Sequence, residues 1–136
     1  MAYNYSQPKI FCDFLVIYKK YYLAHKNLPK IFRVTMGEYI MEELSKCMKI
    51  VVMANLKKNK EDYKRSAKLL KNLRVRIEIL KSYFLIAWDM KLISHQFFAD
   101  VNDRLEEVSK EASKWHDWFE RTLTNPEDSG GQPKAS

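Results

Sequence analysis

Three histidines, two cysteines and a cluster of acids are the residues of this chain that could make or break bonds. A di-iron site inside a helical bundle needs inward carboxylates and paired Glu-x-x-His motifs. The residues three places before His25, His95 and His116 are Tyr22, Leu92 and Ser113, none of them a carboxylate. The histidines do not stand at zinc-ligand spacing from Cys12 and Cys47 either, and the two cysteines form no Cys-x-x-Cys. No metal and no cofactor is expected. Gly-rich phosphate loops, Gly-x-Ser-x-Gly and His-Glu-x-x-His are all missing from the sequence. Residues 94–120 carry Asp100, Asp103, Glu106, Glu107, Glu111, Asp117 and Glu120 against Arg104, Lys110 and Lys114, a net charge of −4. An acid–base pair among them would need a polar cavity, and a solvated helix face is the ordinary explanation. We therefore expect no catalytic residue and no enzyme.

Binding chemistry is better supplied. Between Lys46 and Lys81 stand twelve Lys or Arg against only Glu61, Asp62 and Glu78, a net charge of +9. The whole chain carries +7, so the remainder sums to −2. Such a field attracts a polyanion, an acidic protein or a membrane surface. Lys57, Lys58, Lys60, Lys64, Arg65, Lys68 and Lys71 make a continuous basic surface, which a phosphate backbone rewards by counterion release without base-specific contacts. Arg74 and Arg76 flank the apolar seam of the same segment and suit a neighbouring helix or protein. The bland alternative is a solvated face that partly pairs with the acidic segment of its own fold.

The elements that must carry these groups are helices. Only 3 Gly and 4 Pro occur in 136 residues, and Pro126 and Pro133 both lie near the end. That scarcity of breakers favours long helices over many short strands. Ile10, Phe11, Phe14, Leu15, Tyr18, Tyr21 and Tyr22 recur at steps of three and four and predict a first helix over residues 8–25. A second has core positions Met36, Ile40, Leu44, Cys47, Val51 and Ala54. It starts either near Pro29 or at Thr35, whose Thr-x-x-Glu spacing to Glu38 matches a capping box. Asn59 caps a third, with a seam of Tyr63, Leu70, Leu73, Ile77, Leu80, Phe84 and Ala87. After Ser94 a fourth runs Phe98, Val101, Leu105, Val108, Ala112, Trp115, Phe119; Trp115 reads as packing, while Trp118 could be packing or part of a ligand box. Short connections make the neighbours antiparallel. The expectation is an all-α, up-down-up-down four-helix bundle in one domain, residues 1–123, with a polar disordered tail, 124–136.

One face of the third helix is unusual. With its seam turned inward, Val75, Ile79, Ser82 and Ile86 point away from the core at spacings of four, three and four. A helix apolar on both sides is buried on both, which implies a subunit interface. No run of about 18 apolar residues marks a membrane span. The N-terminus lacks the layout of a secretion signal, and the isolated cysteines suit a reducing cytoplasm.

Phe14–Leu15 and the Tyr18–Tyr22 cluster are followed by Leu28-Pro29-Lys30 and Phe32-Arg33-Val34-Thr35-Met36-Gly37. Then come Leu69-Leu70-Lys71-Asn72-Leu73-Arg74, Trp88-Asp89-Met90-Lys91-Leu92-Ile93-Ser94 and Trp115…Trp118. In that order, over roughly residues 10–121, the chain resembles the accessory variability determinant family of diversity-generating retroelements. That family lies within the wider group of four-helix proteins of ribosomal-RNA intervening sequences. The resemblance implies a non-catalytic subunit of a pentameric, ring-shaped homo-oligomer. It also implies binding to the retroelement's reverse transcriptase and to template RNA, cDNA or an RNA–DNA heteroduplex, in support of mutagenic retrohoming. A structural adaptor of the intervening-sequence type, meeting an acidic protein through its basic face, is the alternative expectation.

Overall fold

A computed structural model of the protein describes residues 7–56 and 59–124, and among them every regular element is helical. Helix α1 spans Lys9–His25, α2 Lys30–Phe32, a π-helical turn Arg33–Gly37, α3 Glu38–Asn55, α4 Lys60–Asp89 and α5 His95–Thr124. The segments α2, π turn and α3 run on without a break, so the chain forms four rods. Helix α4 packs on α3 and α5, and α1 closes the square by packing on the same two.

Side-chain pairs fix the directions. Lys9 reaches Glu111 and Lys20 reaches Asp100, so α1 and α5 are antiparallel. Arg76 meets Glu43 while Ser66 donates to the Ala54 carbonyl at 2.8 Å, which makes α3 and α4 antiparallel. Lys81 meets Glu106 and Tyr63 meets Trp118, so α4 and α5 are antiparallel too. The expected up-down-up-down order is what these pairs describe.

The seams behave as their periods require. Leu70, Leu73, Ile77, Leu80, Phe84 and Ala87 of α4 are buried, with Tyr63 half-buried at the helix start. Val101, Leu105, Val108, Ala112, Trp115 and Phe119 of α5 interdigitate with them. Trp118 is buried as well, its ring against Tyr63 and Phe119, so it is packing and no ligand box. In α1 the fully buried positions are Ile10, Phe14, Ile17 and Tyr21; Ile17 belongs to the seam, whereas Tyr22 is 59% exposed and does not.

The start of the second rod needs a correction. Thr35 forms no capping box, because the chain is already helical from Lys30 behind Pro29. The Thr35 hydroxyl donates back to the Ile31 carbonyl at 2.6 Å and lies 3.3 Å from that of Phe32, the bond a mid-helix threonine makes. The π turn that follows brings Gly37 against α1. A Cβ there would stand 2.9 Å from His25 Cε1, 3.0 Å from the Phe32 carbonyl and 3.1 Å from the Tyr21 hydroxyl. Between α4 and α5, Lys91 adopts a left-handed conformation, φ 63°, and turns the chain over.

Candidate nucleic-acid interface

Helix α4 begins where two bonds satisfy its first donors. Asn59 Oδ1 accepts from the amides of Glu61 and Asp62, at 3.0 and 3.2 Å, and Asp62 Oδ2 accepts from the Asn59 amide at 3.3 Å. This reciprocal box fixes the rotation of the helix, and with it which basic residues face outward. Lys57 and Lys58, part of the expected surface, lie outside the described residues. Lys60, Lys64, Arg65, Lys68, Lys71 and Arg74 are all exposed.

The structure divides the basic residues into two sets. One set is spent on the fold. Arg65 donates to the Leu56 carbonyl at 2.6 Å and stands 3.8 Å from Asp62. Arg76 grips both Glu43 oxygens, at 3.0 and 3.1 Å, and Asn72 at 2.9 Å, so it clamps α4 to α3. Lys81 bridges Glu78 and Glu106; burial works against its charge, but these bonds prevail and hold the ammonium above its ordinary range. The other set is available. Lys60, Lys64, Lys68, Lys71 and Arg74 make no ion pair among the described residues.

Four of the available cations share one trough. Lys64, Lys68, Lys71 and Arg74 line a hollow of about 530 Å³, floored by Ala67 and walled on α5 by His116, Glu120 and Leu123. A further hollow of about 350 Å³ shares Lys71 and Arg74 and extends past Val75 to Glu78 and Ser109. Arg74 thus joins the lysines instead of standing apart as the sequence suggested. The α5 wall was not foreseen, although residues 116, 120 and 123 share one helix face. His116 lies 3.6 Å from Asp117 and 3.5 Å from Glu120. Chemically, the trough offers four positive charges, few competing carboxylates and a single aromatic ring, the imidazole of His116.

Elsewhere, the outer stripe of α4 stays at the surface. Val75 is 57% and Ile86 39% exposed, Ile79 is half-buried, and Leu85, Trp88 and Met90 nearby are exposed too. One acid of α5 is buried: Glu111, 3% exposed. Burial raises its carboxyl to about 8, the bond to and charge of Asp13 add to this, and Lys9 opposes it. It lines neither hollow of the trough. Cys47 is buried and its thiol is pushed up to about 12 by that burial; neither cysteine forms a disulfide. Among the described residues no three His, Cys, Asp or Glu converge as metal ligands, and no helix is long and apolar enough to cross a membrane. Compared with known proteins, the chain matches no family model, no curated protein and no solved structure.

Proposed function

We propose that the protein is a non-catalytic, cytoplasmic accessory subunit of a diversity-generating retroelement. In this reading it forms a ring-shaped homo-oligomer that holds RNA or cDNA beside the reverse transcriptase during mutagenic retrohoming. The observation that carries the nucleic-acid part is the row of cations on α4, Lys64, Lys68, Lys71 and Arg74, which make no ion pair among the described residues and are aligned in one trough. Unpaired, aligned cations that neutralise phosphates release the counterions condensed on a nucleic acid, whereas cations already clamped to carboxylates contribute less. The polymerase and the ring come from the sequence resemblance alone. The oligomer has a candidate contact in the exposed apolar stripe of Val75, Ile79 and Ile86.

The test is binding of the purified protein to a structured RNA and to an RNA–DNA heteroduplex across a salt series. Affinity should fall steeply with salt, and Glu at Lys64, Lys68 and Lys71 should abolish binding without unfolding the bundle. Negligible affinity at physiological salt would instead favour the acidic-protein adaptor.

A further inference from the structure

We infer that the trough between α4 and α5 takes a single phosphodiester backbone and reads no bases. This deepens the nucleic-acid reading above and rests on it. Lys64, Lys68, Lys71 and Arg74 lie along the α5 flank of α4, ten helical steps from first to last, or ~15 Å at the helical rise. They form one file, several phosphates long and one backbone wide.

The other flank of α4 is differently used. Toward α3, Arg65 is bound to the Leu56 carbonyl and Arg76 to Glu43. A duplex brings two backbones, separated by grooves of ~6 and ~12 Å. Its second backbone would cross either this occupied flank or α5, whose side toward α4 presents Glu106 and Glu120. On the α3 side a second strand would meet two exposed cations that make no ion pair among the described residues, Lys46 and Lys49. One backbone therefore meets four cations in a single file, where a second would meet two, beside the Arg76–Glu43 pair.

Base discrimination requires side chains that form bidentate bonds to base edges, or rings on which bases stack. In the trough only Arg74 offers a fork for a base edge and only His116 a ring, whereas Lys64, Lys68 and Lys71 offer point charges that a phosphate satisfies. Contacts to phosphate position a strand without identifying it.

The experiment is fluorescence anisotropy with oligothymidylate, oligoadenylate, a mixed RNA strand, a DNA duplex and an RNA–DNA heteroduplex of equal length. The three single strands should bind within about threefold of one another, and both duplexes at least about tenfold more weakly. The logarithm of affinity should fall with log salt at a slope of about 3, four phosphates at ~0.7 each. Lys71→Glu should weaken single-strand binding by more than about tenfold, whereas Lys46→Glu should change it by less than about twofold. Lys71→Ala, milder to the fold, should move affinity in the same direction, and circular dichroism checks that each variant folds. A tenfold preference for one homopolymer would overturn the sequence-blind trough. Tighter duplex binding, or equal losses from Lys46→Glu and Lys71→Glu, would replace one backbone with a duplex straddling α4 and leave the proposed function standing. Failure of every probe to bind sinks both.

Discussion

Glu111 shows how one residue can tie stability to pH. It sits on α5 facing α1, where Lys9 Nζ lies 2.7 Å from Asp13 and 3.3 Å from Glu111. Its second oxygen, Oε1, has no donor from the protein, which suits a protonated carboxyl sharing its hydrogen with Asp13. The folded carboxyl titrates near 8, the unfolded one near an ordinary ~4.3. Between those values the folded state binds more protons, so stability is full below about pH 4 and declines as pH rises toward 8. Glu111→Gln keeps a hydrogen-bonding side chain and removes the titration. Urea unfolding at pH 5.5 and 8.5 should show the parent losing on the order of 1–3 kcal/mol between them through this group, and the Gln variant losing less. Equal losses in the two proteins would mean that Glu111 is already ionised in the fold. Gly37 is a second residue-scale case. Its missing Cβ leaves room for the Tyr21 hydroxyl, which bonds His25 Nδ1 at 3.0 Å. The His25 ring can shift, but the Phe32 carbonyl cannot. Gly37→Ala should therefore cost about 1–3 kcal/mol by overpacking, read as a lower midpoint of thermal unfolding.

Helix α4 is the element that joins fold to site, and its start is set by few atoms. Asn59→Ala removes both side-chain acceptor bonds and should cost about 1 kcal/mol, measurable by denaturant unfolding. Because the cap also fixes rotation, the first trough residue, Lys64, should lose order in the variant before Arg74 does; hydrogen exchange along α4 can separate the two. This cap was legible in the sequence, since Asn59 and Asp62 are local partners three residues apart. So were the seams of α4 and α5, because a three-four repeat of apolar residues constrains one face whatever surrounds it. Where local signals competed, the sequence misled. Thr35 and Glu38 have capping-box spacing, but Pro29 starts the helix earlier, and a threonine inside a helix bonds backward. In α1 so many aromatics crowd both flanks that Tyr22 passed for core and Ile17 went unnoticed. The division of the basic residues was not legible at all. Arg76 and Glu43 are 33 residues apart, and Lys81 and Glu106 are 25 apart, so only tertiary packing decides which cations are spent.

At the scale of the whole molecule, α4 carries its basic row and most of its exposed apolar side chains at different ends. The basic row begins at the first turns of α4, whereas Leu85, Ile86, Trp88 and Met90 are exposed at and beyond its last turns. The α2–α3 rod starts at that same end, as the Tyr39–Tyr83 ring contact of 6.4 Å shows, and adds exposed Ile31, Val34 and Tyr39. Over 30 residues α4 extends ~45 Å, so a contact at the apolar end leaves most of the trough open to solvent. If copies of the chain meet through the apolar end of α4, the paired variant Leu85→Asp and Ile86→Asp should shift sedimentation from oligomer to monomer. The helix content should not change, because neither side chain is in the core. Binding of a short oligonucleotide, long enough for one trough, should keep its affinity. A long strand able to occupy several troughs should lose roughly tenfold or more, since linked sites raise avidity without any new contact. A parent protein that already sediments as a monomer would remove the homo-oligomer from the proposal. Loss of short-strand binding in the dissociated variant would instead place part of the trough on the neighbouring copy.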